Sequence, residues 1–227
     1  MEHSAKQEPA LLERVARRAR ADGFRPPRWA APLGAALVFA VLAALVVTAV
    51  LLLRPKEEPV TDPAALARYT GLMEAPAIVD MAPFADGKPS PEQMVPTAVT
   101  RALLAGSGEF SERPGFVRVP AEKVKTSAAA LFGDAAFSHC TVKADGLSYE
   151  YDKAEGCYYV SATALDGGYQ AKILRAVKKG KTVIVTAGYA SAYAQPDEAG
   201  DVPVEKQMKF VFREEDEAPY LYALEQG

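Results

Sequence analysis

Cysteine, histidine and tryptophan are scarce in this chain. Its 227 residues hold two cysteines, Cys140 and Cys157, two histidines, His3 and His139, and one tryptophan, Trp29. Two cysteines and one nearby histidine without short paired spacing do not make a zinc set. The glycine-rich AGSG at 105–108 lacks the lysine of a phosphate loop, and neither G-x-S-x-G nor H-E-x-x-H occurs. No catalytic residue, metal ligand or cofactor is therefore expected from motifs. Internal repeats and low-complexity blocks are also missing.

Charge is missing too, but only in one place. Residues 29–53, WAAPLGAALVFAVLAALVVTAVLLL, carry none. A helix rises about 1.5 Å per residue, so this run is long enough to cross the roughly 30 Å hydrocarbon core of a bilayer. It exceeds the usual apolar core of a signal peptide, and RPKEEP at 54–59 is not a small-residue cleavage site, so an uncleaved anchor is expected. Arg28, Trp29 and Arg54 suit the two headgroup boundaries, as snorkelling cations and an amphipathic ring. Residues 9–28 hold six Lys and Arg against three in 54–73. The positive-inside bias then puts the N-terminus in the cytoplasm and the C-terminal domain outside. Regional charge agrees. Residues 1–28 carry seven basic and four acidic groups, net +3, and residues 54–227 carry 19 and 25, net −6.

The division expected is a basic cytoplasmic tail (1–28), a transmembrane helix (29–53), a polar stalk (54–63) and an extracytoplasmic domain (64–227). Within the tail, residues 8–23 read as a short helix with Leu11, Leu12 and Val15 beside several arginines. A topology signal lying on anionic lipid explains that pattern; docking a cytoplasmic partner is the sharper alternative. Nucleic acid is not an expected partner, because no base-reading element accompanies the basic tail.

Beyond the stalk, Asp62 or Thr61 can cap a helix with Pro63 at its first position, running to about Tyr69 and stopping at Gly71. Ser90 and Gln93 have the capping-box spacing, and Val95, Ala98, Val99, Ala102 and Leu103 follow at helical period. Val124, Ala128, Leu131 and Phe132 predict a third helix ending at Gly133. Residues 116–119 read as extended. Three hairpins then follow, with strands at 147–151 and 157–160, 169–177 and 182–189, and 208–212 and 220–224. Helices followed by hairpins argue an α+β domain, about three helices on a curved antiparallel sheet of five to six strands. That element order is similar to the cystatin-like and ketosteroid-isomerase-like cone folds, which implies a concave sheet wrapping a helix and implies no particular function.

Three phrases, VPAEKV at 119–124, ALFG at 130–133 and YEYDKAEGCYYV at 149–160, carry a second resemblance. The chain resembles uncharacterised single-pass, membrane-anchored extracytoplasmic proteins of clostridial-type Gram-positive bacteria. No activity comes with that resemblance.

Cys140 and Cys157 lie 17 residues apart in the part expected outside, where such cysteines more often pair than not, and a disulfide between them is the candidate crosslink. Left unpaired, both would be buried thiols. His139 cannot serve Cys140, since neighbours on a strand point to opposite faces. Pairing of His139 with Cys157 as an outward-facing enzyme stays open, although the TLxTC pattern of a sortase nucleophile is missing at both cysteines. Nine of the ten tyrosines fall between 149 and 222, as expected of half-buried strands. Glu214, Glu215, Asp216 and Glu217 read as a solvated turn. The expected function is a membrane-tethered extracytoplasmic binding domain without catalysis. Its partners would be the bilayer, an extracytoplasmic protein or wall polymer, or weakly a second copy. A transmembrane, anti-sigma-like regulator acting through the tail is the alternative, and a Cys/His enzyme the third.

Overall fold

A computed structural model describes residues 39–40, 42–45, 56–195, 202–215 and 218–227. The chain divides into two compact units, Met1–Arg54 and Pro55–Gly227. In the first, residues 39–40 and 42–45 are helical, and the side chains of Phe39, Leu42 and Leu45 are exposed. The rest of the expected span at 29–53, the tail at 1–28, and Arg28, Trp29 and Arg54 lie outside the described residues. Among the described residues no helix is long and apolar enough to cross a membrane.

The second unit is α+β with antiparallel sheets. Its elements are β1 (Glu57–Pro59), α1 (Pro63–Ile78), α2 (Pro91–Leu104), β2 (Glu109–Phe110), β3 (Phe116–Pro120), α3 (Ala121–Phe132), β4 (Val142–Ala144), β5 (Leu147–Asp152), β6 (Cys157–Ser161), β7 (Tyr169–Lys179), β8 (Thr182–Ser191), β9 (Lys206–Glu215) and β10 (Ala218–Gln226). The Asp62 carboxylate accepts from the amides of Ala64 and Ala65, which starts α1 with Pro63 in its first turn. The helix then passes through Gly71 and Pro76 to Ile78 instead of stopping near Tyr69. Burial of Tyr69, Leu72, Met73 and Ala77 on one stripe outweighs the roughly 1 kcal/mol that a helical glycine costs. The capping box of α2 forms, with Ser90 N–H donating to Gln93 Oε1 at 2.7 Å. Val95, Ala98, Val99 and Ala102 are buried as their period predicts, and so are Val124, Ala128, Leu131 and Phe132 of α3.

All three expected hairpins form, but the strands divide between two sheets where one curved sheet was expected. The larger has the order β1-β7-β8-β9-β10 and the smaller β2-β3-β6-β5-β4. The cause is β3, which pairs with β6 across the intervening α3, with Val119 opposite Tyr158 and Pro120 opposite Cys157. That pairing closes the smaller sheet before β7 begins. The link to β7 passes the end of α1 at Gly168 (φ +72), where a Cβ would lie 1.9 Å from the Ile78 carbonyl oxygen. Only glycine fits there. One hydrophobic cluster joins the three helices to both sheets, from Met73 and Val99 to Tyr158, Val185 and Phe210.

Candidate functional site

The smaller sheet carries the residues singled out for chemistry, and its pleat separates them. Tyr158 and Tyr151 face each other across β5 and β6 and point inward, with ring centroids 5.1 Å apart. His139, in the segment before β4, stacks on Tyr151 at 4.9 Å and 20°, meets Phe137 edge-on at 5.1 Å, and places Nδ1 3.2 Å from the Tyr158 hydroxyl. Burial lowers the pKa of this imidazole below its ordinary value. Lys125 pushes it the same way, and Glu122 pulls it back. The Tyr158 hydroxyl is pushed up, chiefly by its own burial. His139 is thus a member of an aromatic cluster rather than a surface residue.

Cys157 lies on the other face of β6. Both cysteines are free thiols, so the expected Cys140–Cys157 disulfide does not form. The reason is the strand order. Tyr151 N–H donates to Thr141 Oγ1 at 3.0 Å, which sets Cys140 on one flank of β5, while Asp152 pairs with Cys157 on the other. Two strand spacings are roughly 10 Å, beyond the 7 Å over which two cysteine Cα atoms can be bridged. The same alternation turns Cys157 away from Tyr158 and from the imidazole that contacts it, so His139 and Cys157 do not meet.

The outward face of the smaller sheet is ionic. The Arg113 guanidinium lies 3.9 Å over the Tyr159 ring, and reaches Glu150 at 3.5 Å and Asp152 at 4.0 Å. The Tyr159 hydroxyl donates to Glu155. Lys143 and Lys153 join Arg113, Glu150, Asp152 and Tyr159 around a shallow hollow of about 570 Å³. A smaller hollow of about 310 Å³ has Asp80, Asp145 and Asp166 on its walls, with Lys206 paired to Asp80. Among the described residues no group of His, Cys, Asp and Glu could hold a metal ion.

Glu214 departs from its expected role as a solvated turn residue. It accepts from the Tyr69 hydroxyl at 2.7 Å and from the Lys178 ammonium, tying α1 to β7 and β9. Lys178 and Tyr69 hold its carboxyl below the usual value, against the pull of partial burial. No local pattern announces this contact, because its partners lie 145 and 36 residues away.

Beside β7 two hollows of about 550 and 350 Å³ share Thr70, Gln170 and Ala171 and so form one groove. α1 makes one bank, through Leu66, Thr70, Glu74 and Ile78. Val202 and Val204 flank one end, and Leu165 the other. Most of these residues are apolar. A concave, largely apolar lining is the usual character of a binding cleft. Among family models, curated proteins and solved structures, nothing matches this chain.

Proposed function

We propose that this chain is a membrane-tethered extracytoplasmic binding protein whose folded unit, residues 55–227, holds a partner without transforming it. One observation carries the reading: 25 consecutive uncharged residues at 29–53, arginine-rich on the N-terminal side, lead directly into a compact unit. A tether of that length fixes a domain at a bilayer surface. The groove beside β7 supplies a surface of the right character. His139 and Cys157, on opposite faces of β6, argue against the Cys/His enzyme. The net +3 tail with its Leu11, Leu12 and Val15 stripe favours a second reading, an anti-sigma-like regulator that passes a signal inward through residues 1–28.

Fractionation tests the tether. The full chain is expected in the membrane fraction, resistant to high salt and carbonate, and protease added to intact protoplasts should remove epitopes beyond residue 55. Full-length protein in the soluble cytosol, or a C-terminal half spared by protease, would overturn the reading. A pull-down with the tail peptide that retrieves a sigma factor would favour the second.

A further inference from the structure

Among the described residues, β1 covers only the C-terminal part of β7 in the larger sheet. β1 pairs Glu57, Glu58 and Pro59 with Lys179, Lys178 and Val177, and Val60 N–H closes on the Ala176 carbonyl at 3.0 Å. Upstream, no strand among the described residues pairs with residues 169–173 on the side away from β8. Alternation fixes which backbone groups this leaves open. Ala192 N–H donates to Gly168 O at 3.2 Å, so residues 168, 170 and 172 turn their amides and carbonyls towards β8. Tyr169, Ala171 and Ile173 turn theirs outward. The bulge between Ile173 and Arg175 inserts a residue and resets the phase, which is why Ala176 faces outward to meet Val60.

The groove follows this open edge. Ala171 and Ile173 line it from one face of β7, Gln170 and Lys172 from the other. Lining by consecutive residues of β7 means that the hollow wraps around that strand's edge, and on the Gln170 face it reaches Ala190 of β8. The α1 bank is regular, because Leu66, Thr70, Glu74 and Ile78 recur every four residues on one side of the helix.

We propose that this edge receives an extended peptide from a partner protein, added to the sheet as a further strand in line with β1. This rests on the binding reading above and names its partner class. Open amides and carbonyls at alternate residues match the backbone of a strand and nothing else so well. The occupant is a flexible segment of about five residues rather than a second folded copy, because α1 and the 202–204 segment wall the groove in. Another domain's edge would bring helices and loops of its own against them. Leu66, Ile173, Val202 and Val204 ask for uncharged, apolar side chains at alternate positions of the peptide.

The test uses the full chain in detergent micelles and displayed random heptapeptides as the probe. Selected peptides should alternate apolar residues and, once synthesised, bind by fluorescence anisotropy. Hydrogen exchange of the Tyr169, Ala171 and Ile173 amides should slow in the complex. Thr70→Trp, which fills the groove from the helix side, should weaken binding at least tenfold. Ala171→Pro, which removes one outward N–H and no bond to β8, should do the same, while Ala67→Trp, on α1 outside the groove, should not. Unchanged binding by Thr70→Trp and Ala171→Pro, or a library that yields no binder, overturns the edge site. A binder that protects a different surface also overturns it, yet leaves the broader binding reading standing. Concentration-dependent dimerisation that protects 169–173 without peptide would make a second copy the occupant and end the peptide proposal. The tether is judged separately, by fractionation.

Discussion

The inward and outward faces of the smaller sheet differ in kind, one aromatic and the other ionic. They are built from alternate residues of the same strands. Inward, Tyr149, Tyr158 and Val160 are buried among α2 and α3, and His139 and Tyr151 close the rim of that layer. Outward, Arg113, Glu150, Asp152 and Glu155 surround Tyr159 and Cys157. A shift of one residue along β6 moves a side chain from a dry aromatic stack into an ion-pair network. Proximity in sequence, such as that of His139 to Cys140 or of Cys157 to Tyr158, therefore says little about who reacts with whom. The pleat decides it.

If the inward face is where stability resides, it is the face whose loss costs most. Tyr158 is fully buried and touches both Tyr151 and His139. Tyr158→Ala should destabilise the domain by about 3–5 kcal/mol, the range for large aromatic truncations in a core. Tyr158→Phe keeps the ring and removes one hydrogen bond, so it should cost nearer 1 kcal/mol. Urea midpoints for the pair would check this. Equal losses for the two would mean that the hydroxyl network, and not packing, holds the inward face.

Much of this contrast was legible from the chain. Tyr149 and Tyr151 stand two apart on a predicted strand, and Ser90, Gln93 and Gly133 mark the ends of α2 and α3 in the sequence itself. Three things were not legible, each because the deciding contact is distant in sequence. α1 runs past Gly71 and Pro76 because of the core it meets, not because of its own propensities. The division into two sheets depends on β3 finding β6 across α3, and the short strands β1, β2 and β4 have too few residues to show a period. The groove beside β7 exists because β1 stops at Pro59, a matter of where pairing ends rather than of any motif. The disulfide expectation failed for the same reason: a 17-residue spacing cannot say that β5 lies between the two thiols.

A milder way to sharpen the contrast is to titrate the inward face. Burial holds the His139 imidazole below the ordinary value of about 6.5, so the folded domain resists a proton that the unfolded chain accepts. The sign follows from that. The neutral ring's contribution is complete above about pH 6.5 and is lost as pH falls from there through the lowered folded value. Wild-type urea midpoints should therefore decline between pH 7.5 and 5.5 more steeply than those of His139→Gln, which has nothing to titrate there. Glu122 and Lys125 of α3 face the ring with opposite effects, so Lys125→Met should reduce the decline and Glu122→Gln should increase it. Parallel curves for wild type and His139→Gln would mean that the ring is as solvated as a surface histidine, and the two faces less unlike than the geometry implies.

The smallest effect belongs to the outward face. The Arg113 side chain is 49% exposed, and its ion pairs to Glu150 and Asp152 are long. Exposed pairs as long as these contribute about 0.2 kcal/mol each, and an exposed cation–π contact about 0.5 kcal/mol. Arg113→Ala should therefore cost less than about 1 kcal/mol, and less again in 0.5 M salt, where screening has already removed part of the ionic share. Tyr159 and Cys157 are buried beneath this layer, which is how a face with weak bonds can still shelter a thiol. A loss above 2 kcal/mol for Arg113→Ala, unchanged by salt, would show the outward face to be a second core whose ionic rim is only its surface.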